Sequence, residues 1–168
     1  MPVVWRTYLD FLIPQFKLTR IRRTFDRMLT AIAVTQHEKF VWPAYLKWAC
    51  SCGVAETGIR VFRRYLKVHP LAVEDYIKFL KRSGRLEEAA LELTKLVNDE
   101  NFVSQRGKSK HDLWTDLLHL LVRNPTKMSK SQLLNVDAII RSGINRFAHE
   151  VGRLWTNLAD YYIRLGQF

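Results

Sequence analysis

An apolar triplet spaced by three recurs along this chain. It stands as Trp5, Tyr8, Phe11, then Trp42, Tyr45, Trp48, then in degraded form as Val73, Tyr76, Phe79. Trp114, Leu117, Leu120 and Trp155, Leu158, Tyr161 complete the series. The leading positions are 37, 31, 41 and 41 residues apart. Residues three apart lie on one side of a helix, so each triplet predicts an apolar helical stripe. Self-similarity at this spacing marks a repeat architecture and constrains the fold more than any single motif.

Each stripe meets a stop and then a second helical pattern. Pro14 and Gln15 break the first copy, Gly53 and Gly84 end the next two, Asn124-Pro125 closes the fourth, and Gly166 follows the last. Glycine tolerates the positive φ of a helix C-terminus, and proline cannot continue a helix. Over 18–32, Leu18, Ile21, Phe25, Met28, Leu29 and Ile32 share one face, with Lys17, Arg20, Arg23 and Arg27 opposite. Over 58–67, Ile59, Val61, Phe62, Tyr65 and Leu66 cluster, and Arg60, Arg63, Arg64 and Lys67 face away. The third copy turns Ala90, Leu93, Leu96 and Val97 inward, and the fourth Leu133, Val136, Ile140 and Ile144. Gly58, Ala89 and Ala138, near the start of these second helices, are expected to let paired helices approach closely.

The predicted unit is therefore helix, turn, helix. Neither helix buries its stripe alone, whereas stacked pairs bury a continuous core, so the expected fold is an all-α superhelix of helical hairpins. The expected repeats are 3–36, 40–69, 71–98 and 111–147, with the first helix of a fifth at 152–168. Two polar stretches, 98–112 and 124–131, read as loops that lengthen the fourth repeat. The structural positions of the repeat are Trp5, Tyr8, Phe25, Trp42, Tyr45, Phe62, Tyr76, Leu93, Trp114 and Trp155.

Charge is the feature the repeat does not require. The net charge is +11, and it divides as +8 over 1–70 and +3 over 71–168. Such a field favours acidic partners, protein or nucleic acid, and is silent about fold. Arg27 and Arg64 fall at equivalent places in the first two repeats. That leaves Arg20, Arg23, Arg60, Arg63 and Lys67 as a candidate face for a partner or RNA. Arg106, Lys108 and Lys110 make the 98–112 loop a second candidate. Tyr162, off its stripe, is the aromatic freest to stack on a base.

No catalytic or cofactor constellation is read from the sequence. The five histidines are scattered, and glycine-rich phosphate loops and nucleophile-elbow motifs are absent. Cys50 and Cys52 are too close for a zinc knuckle and read as reduced cysteines of an intracellular protein. No stretch approaches the roughly 18 apolar residues of a membrane span, and the first residues lack the pattern of a signal peptide. No enzyme activity, metal, cofactor, small-molecule substrate or membrane partner is expected.

The pattern W-x-x-Y-x-x-[FW], a turn, then [AG]-x-x-x-F-x-R-x-L resembles the HAT (half-a-TPR) repeat, well over 5–29 and 42–66 and loosely over 73–97. The strings RRTFDRML, DYIKFLKRSGRLEEAA, LVNDENFVSQRGKS, NVDAIIRSGI and LWTNLADYYIRLGQF resemble the Syf / XPA-binding-protein family of splicing factors, relatives of the crooked-neck proteins. NVDAIIRSGI is the most discriminating, since helix packing does not demand it. The resemblance implies a nuclear protein-interaction scaffold of the spliceosome, associated with the NineTeen complex and linked in some members to transcription-coupled DNA repair. It implies other spliceosomal proteins as partners. It also implies that this chain, much shorter than such proteins, is a piece of a longer array. The alternative is a solenoid that grips RNA directly through the basic face, weakly and without sequence preference. A third is a TPR-like adaptor for peptide tails, against which the apolar stripes of the first helices count.

Overall fold

The structure is a computed structural model that describes residues 2–125, 135–147 and 151–166. Among these residues it is all-α, with nine helices and no strand, built of antiparallel-type hairpins joined by short turns. The helices are α1 (Pro2–Leu12), α2 (Leu18–Ala31), α3 (Trp42–Ser51), α4 (Ala55–Val68), α5 (Val73–Arg82), α6 (Leu86–Asn98), α7 (Lys110–Arg123), α8 (Val136–Arg146) and α9 (Val151–Leu165). The chain divides into two compact units, 1–72 and 73–168. Among the described residues no helix is long and apolar enough to cross a membrane.

The turns follow their residues. Proline 14 sits in a 3-10 turn, Ile13–Gln15, that ends α1. Gly53 and Gly84 take φ of +75° and +74° between paired helices, where a side chain would be strained. A π-helical turn, His37–Val41, leads into α3, and the His37 ring nitrogen lies 2.8 Å from the Ile32 carbonyl.

In the first unit the core is an aromatic stack. Phe25 lies face to face with Tyr45, ring centroids 4.4 Å apart, and Trp48 tilts against it at 5.8 Å. Trp42, Tyr45 and Trp48 are all buried, because α3 packs along α4 and takes Phe25 of α2 against its rings. Helix α1 differs. Trp5, Leu9 and Leu12 pack on the core, while Tyr8 is 36% and Phe11 66% exposed. A spacing of three slips about 60° backwards per step, so a triplet stays on one face only where a helix is covered broadly. α1 has one packed face, and it selects i, i+4, i+7 instead. Trp155 is likewise 53% exposed, with Leu158 and Tyr161 carrying the burial of α9.

In the second unit Leu113, Trp114, Leu117, Leu118 and Leu121 bury α7 among α6, α8 and α9. Tyr76 and Leu93 are buried as expected of repeat positions. Ala138 is exposed, so it is not the point of close approach in this hairpin. Gly143 takes that role: a Cβ built on it would stand 3.2 Å from the Trp114 ring. Two helix ends are closed from afar. Arg146 donates to the Val97 carbonyl and Arg164 to the Val122 carbonyl, each at 3.1 Å, satisfying acceptors that a helix C-terminus leaves free. The inward position at Leu133 and most of the 124–131 loop lie outside the described residues. Among the described residues neither cysteine is bridged in a disulfide.

Candidate interaction surface

The basic face is organised by one contact in the first unit. Arg64 of α4 pairs with Asp26 of α2, with both side chains nearly half exposed. The Tyr45 hydroxyl also reaches Asp26, at 3.5 Å. Burial, reinforced by the Asp26 charge, pushes the Tyr45 phenol up to about 12. Its own hydrogen bond to Asp26 raises the Arg64 guanidinium above its ordinary value.

This contact fixes which way the neighbouring cations point. At about 100° per residue, Arg23 lies about 60° and Arg20 about 120° round α2 from Asp26, away from the buried Phe25. On α4, Arg60 lies about 40°, Lys67 about 60° and Arg63 about 100° round from Arg64, away from the buried Val61. Phe25 and Val61 belong to one core. Both arcs of cations therefore adjoin along the outer side of the Asp26–Arg64 contact. All five are exposed, and none forms an ion pair among the described residues. Arg20 and Arg23 further border a shallow open depression with Phe16 and Lys17.

Arg64 and Arg27, equivalent in sequence, are not equivalent in use. Arg64 is committed to Asp26, whereas Arg27 is exposed and outside any ion pair among the described residues. The acid that separates them, Asp26, is the residue that sequence reasoning missed. Its counterpart one repeat on is Arg63, so the repeat gave no signal for it.

The 98–112 loop is pinned within the second unit. Glu74, in the first turn of α5, accepts from the Ser104 hydroxyl at 2.7 Å and the Gln105 amide at 3.1 Å. Arg106 pairs with Asp75, Lys108 with Asp116, and Lys110 donates to the Asp99 carbonyl. The three loop cations thus hold the loop against its own unit. Ser109 caps α7 by accepting from the Asp112 amide, and the Asp112 carboxylate returns to the Ser109 amide. Those bonds hold the Asp112 carboxyl below the ordinary carboxylate value. Tyr162 is not a free platform either: its hydroxyl donates to Asp137 at 2.6 Å. Among the described residues no group of three or more His, Cys, Asp or Glu is placed to hold a metal.

Comparison with known proteins reaches both units. Residues 1–71 match the family model described as pre-mRNA-splicing factor Syf1/CNRKL1 N-terminal HAT repeat. Residues 73–168 match pre-mRNA-splicing factor SYF1 middle HAT repeat. The chain is 51% identical over all 168 residues to pre-mRNA-splicing factor SYF1 of Homo sapiens, covering 19% of that protein. It is 46% identical to the syf1 homolog of Drosophila melanogaster, covering all of this chain and 19% of the relative. It is 40% identical to cwf3 of Schizosaccharomyces pombe, again over the whole chain and over 21% of the relative. The chain thus spans about a fifth of the length of these relatives.

Proposed function

The chain belongs to the Syf1 family of HAT-repeat pre-mRNA-splicing factors, and from that premise we propose that it is a non-catalytic protein-interaction scaffold of the spliceosome. Its work is to present fixed surfaces to other spliceosomal proteins in the nucleus. The NineTeen-complex association and the link to transcription-coupled repair belong to this proposal as well.

The observation that carries it is a division of labour among the cations of the first two hairpins. Arg64 is spent on Asp26 and holds α4 to α2. Arg20, Arg23, Arg60, Arg63 and Lys67 are displayed outward across both hairpins, outside any ion pair among the described residues. Charge spread along a repeat suits an extended acidic partner segment better than a compact small molecule, since only an extended partner meets both helices.

The same ridge favours a second reading, contact with the RNA backbone. Titration with single-stranded RNA at two salt concentrations separates the two. If all five cations met phosphates, the logarithmic salt slope would be about −3.5. Such a slope, lost on charge reversal of Arg60, Arg63 and Lys67, would establish RNA binding. Absence of RNA binding at low salt removes that reading. Splicing proteins retained on the immobilised chain after ribonuclease support the scaffold; loss of all of them overturns it.

A further inference from the structure

We propose that the groove between α1 and α3 is a docking site for a short, acidic, amphipathic helix of a partner protein. This rests on the scaffold reading in taking a protein segment as the occupant, and it concerns a different face from the basic ridge.

The groove measures about 510 Å³, within the usual size of ligand-binding clefts. Its walls are single helical stripes. Val3 and Arg6 come from α1, Ile13 from the 3-10 turn that follows it, and Phe40, Ala44 and Lys47 from the π-helical turn and α3. Phe25, Met28 and Trp48 form the floor. The floor residues are part of the core, so the surface offered is shaped before any partner arrives. Val3, Ile13 and Phe40 remain exposed at the walls. Phe40 is carried on the π-helical turn, a wide turn that proteins place at functional sites.

Charge identifies the partner. Arg6, Lys39 and Lys47 stand on the rim, and Asp10 is the one carboxylate of the lining. Lys39 lies 5.4 Å from the centroid of the Phe40 ring, which keeps an ammonium beside exposed apolar surface. An occupant with apolar side chains on one face and carboxylates on its flanks satisfies both features.

Shape identifies its conformation. The described residues contain no strand, so this groove offers an extended peptide no strand edge to pair with. A helix satisfies its own backbone and can pack its ridges between the two helical walls. The wall from Phe40 to Ser51 runs about 16 Å, which accommodates about three turns of guest helix. Apolar residues at i, i+3 or i+4, and i+7 would meet the floor.

The test is fluorescence anisotropy with the whole 168-residue chain and a labelled synthetic helix bearing leucines at those positions and glutamates on the flanks. Two control peptides replace the glutamates by lysine or the leucines by serine. Micromolar binding of the first peptide is expected, with both controls weaker by at least about tenfold. The double variant R6E/K47E should lose at least about tenfold, and F40S a comparable amount. R82E/R123E, in the second unit and on neither surface, should bind like the wild type. All these residues are exposed, and circular dichroism checks that each variant keeps its helix. Equal binding of the lysine peptide, or sensitivity to R60E/R63E with indifference to R6E/K47E, overturns the proposal. So does sedimentation showing self-association that F40S abolishes, which would make a second copy the occupant. If the peptide fails while splicing proteins are still retained after ribonuclease, the scaffold reading stands and this site falls.

Discussion

Arg64 of α4 and Asp26 of α2 form an ion pair that ties one helical hairpin to the next, 38 residues away in sequence. The pair stands at the boundary between the aromatic core and the outward cations. Because both side chains are nearly half exposed, solvent screens it. Asp26→Asn is expected to lower stability by about 0.2–1 kcal/mol. The loss should shrink at high salt, as thermal melts at two ionic strengths would show. A loss unaffected by salt would mean that Asp26 acts through packing instead.

The core below that pair is far less tolerant. Phe25 is fully buried and stacked on Tyr45. Phe25→Ala should cost about 3–5 kcal/mol. Phe11→Ala, on the open face of α1, should stay within about 0.5 kcal/mol. Urea unfolding of the two variants measures both values.

Gly143 and Gly152 should respond in opposite directions to alanine. A Cβ on Gly143 would press on the Trp114 ring at 3.2 Å, and Phe147 packs edge-on against that ring at 6.1 Å. Gly143→Ala is expected to be destabilising by about 1–3 kcal/mol, as overpacking is. Gly152 meets open space inside α9, so Gly152→Ala should stabilise by about 0.5–1 kcal/mol. Differential scanning calorimetry decides the sign of each.

The capping box of α7 sets a pH dependence. The Ser109 bonds hold the Asp112 carboxyl below the ordinary carboxylate value. A lowered carboxylate contributes stability that is full above the unfolded value and is lost as the pH falls through the folded one. Ser109→Ala removes the side-chain acceptor at the N-cap and should by that alone cost about 1 kcal/mol. It should also flatten the fall in stability below about pH 4. An acid limb identical to the wild type would show that the Ser109 hydroxyl does not hold the carboxyl down, the backbone N–H being kept in the variant.

What the sequence made legible was what a repeat requires locally. Stripes, stops and inward positions such as Phe25, Tyr45, Tyr76 and Trp114 follow from spacing, and all are buried. The phase of α1 did not follow, since Tyr8 and Phe11 lose to Leu9 and Leu12 only because α1 has one packed face. Ala138 and Gly143 trade roles for a similar reason: which small residue meets a neighbour depends on where Trp114 arrives from another helix. Of the site, the outward cations were legible from helical periodicity. Their boundary was not, because Asp26 has no counterpart in the next repeat. Arg106 and Lys108 looked free in sequence because their acids, Asp75 and Asp116, belong to helices folded against them.

The most direct test of the scaffold role is retention of splicing proteins from nuclear extract on the immobilised chain, before and after ribonuclease, with identification by mass spectrometry. The expected result is that specific spliceosomal proteins remain after the RNA is digested. Part of that set should be lost when Arg60, Arg63 and Lys67 are reversed together. Complete loss of spliceosomal proteins on ribonuclease treatment would contradict the account and make RNA the ligand of the ridge.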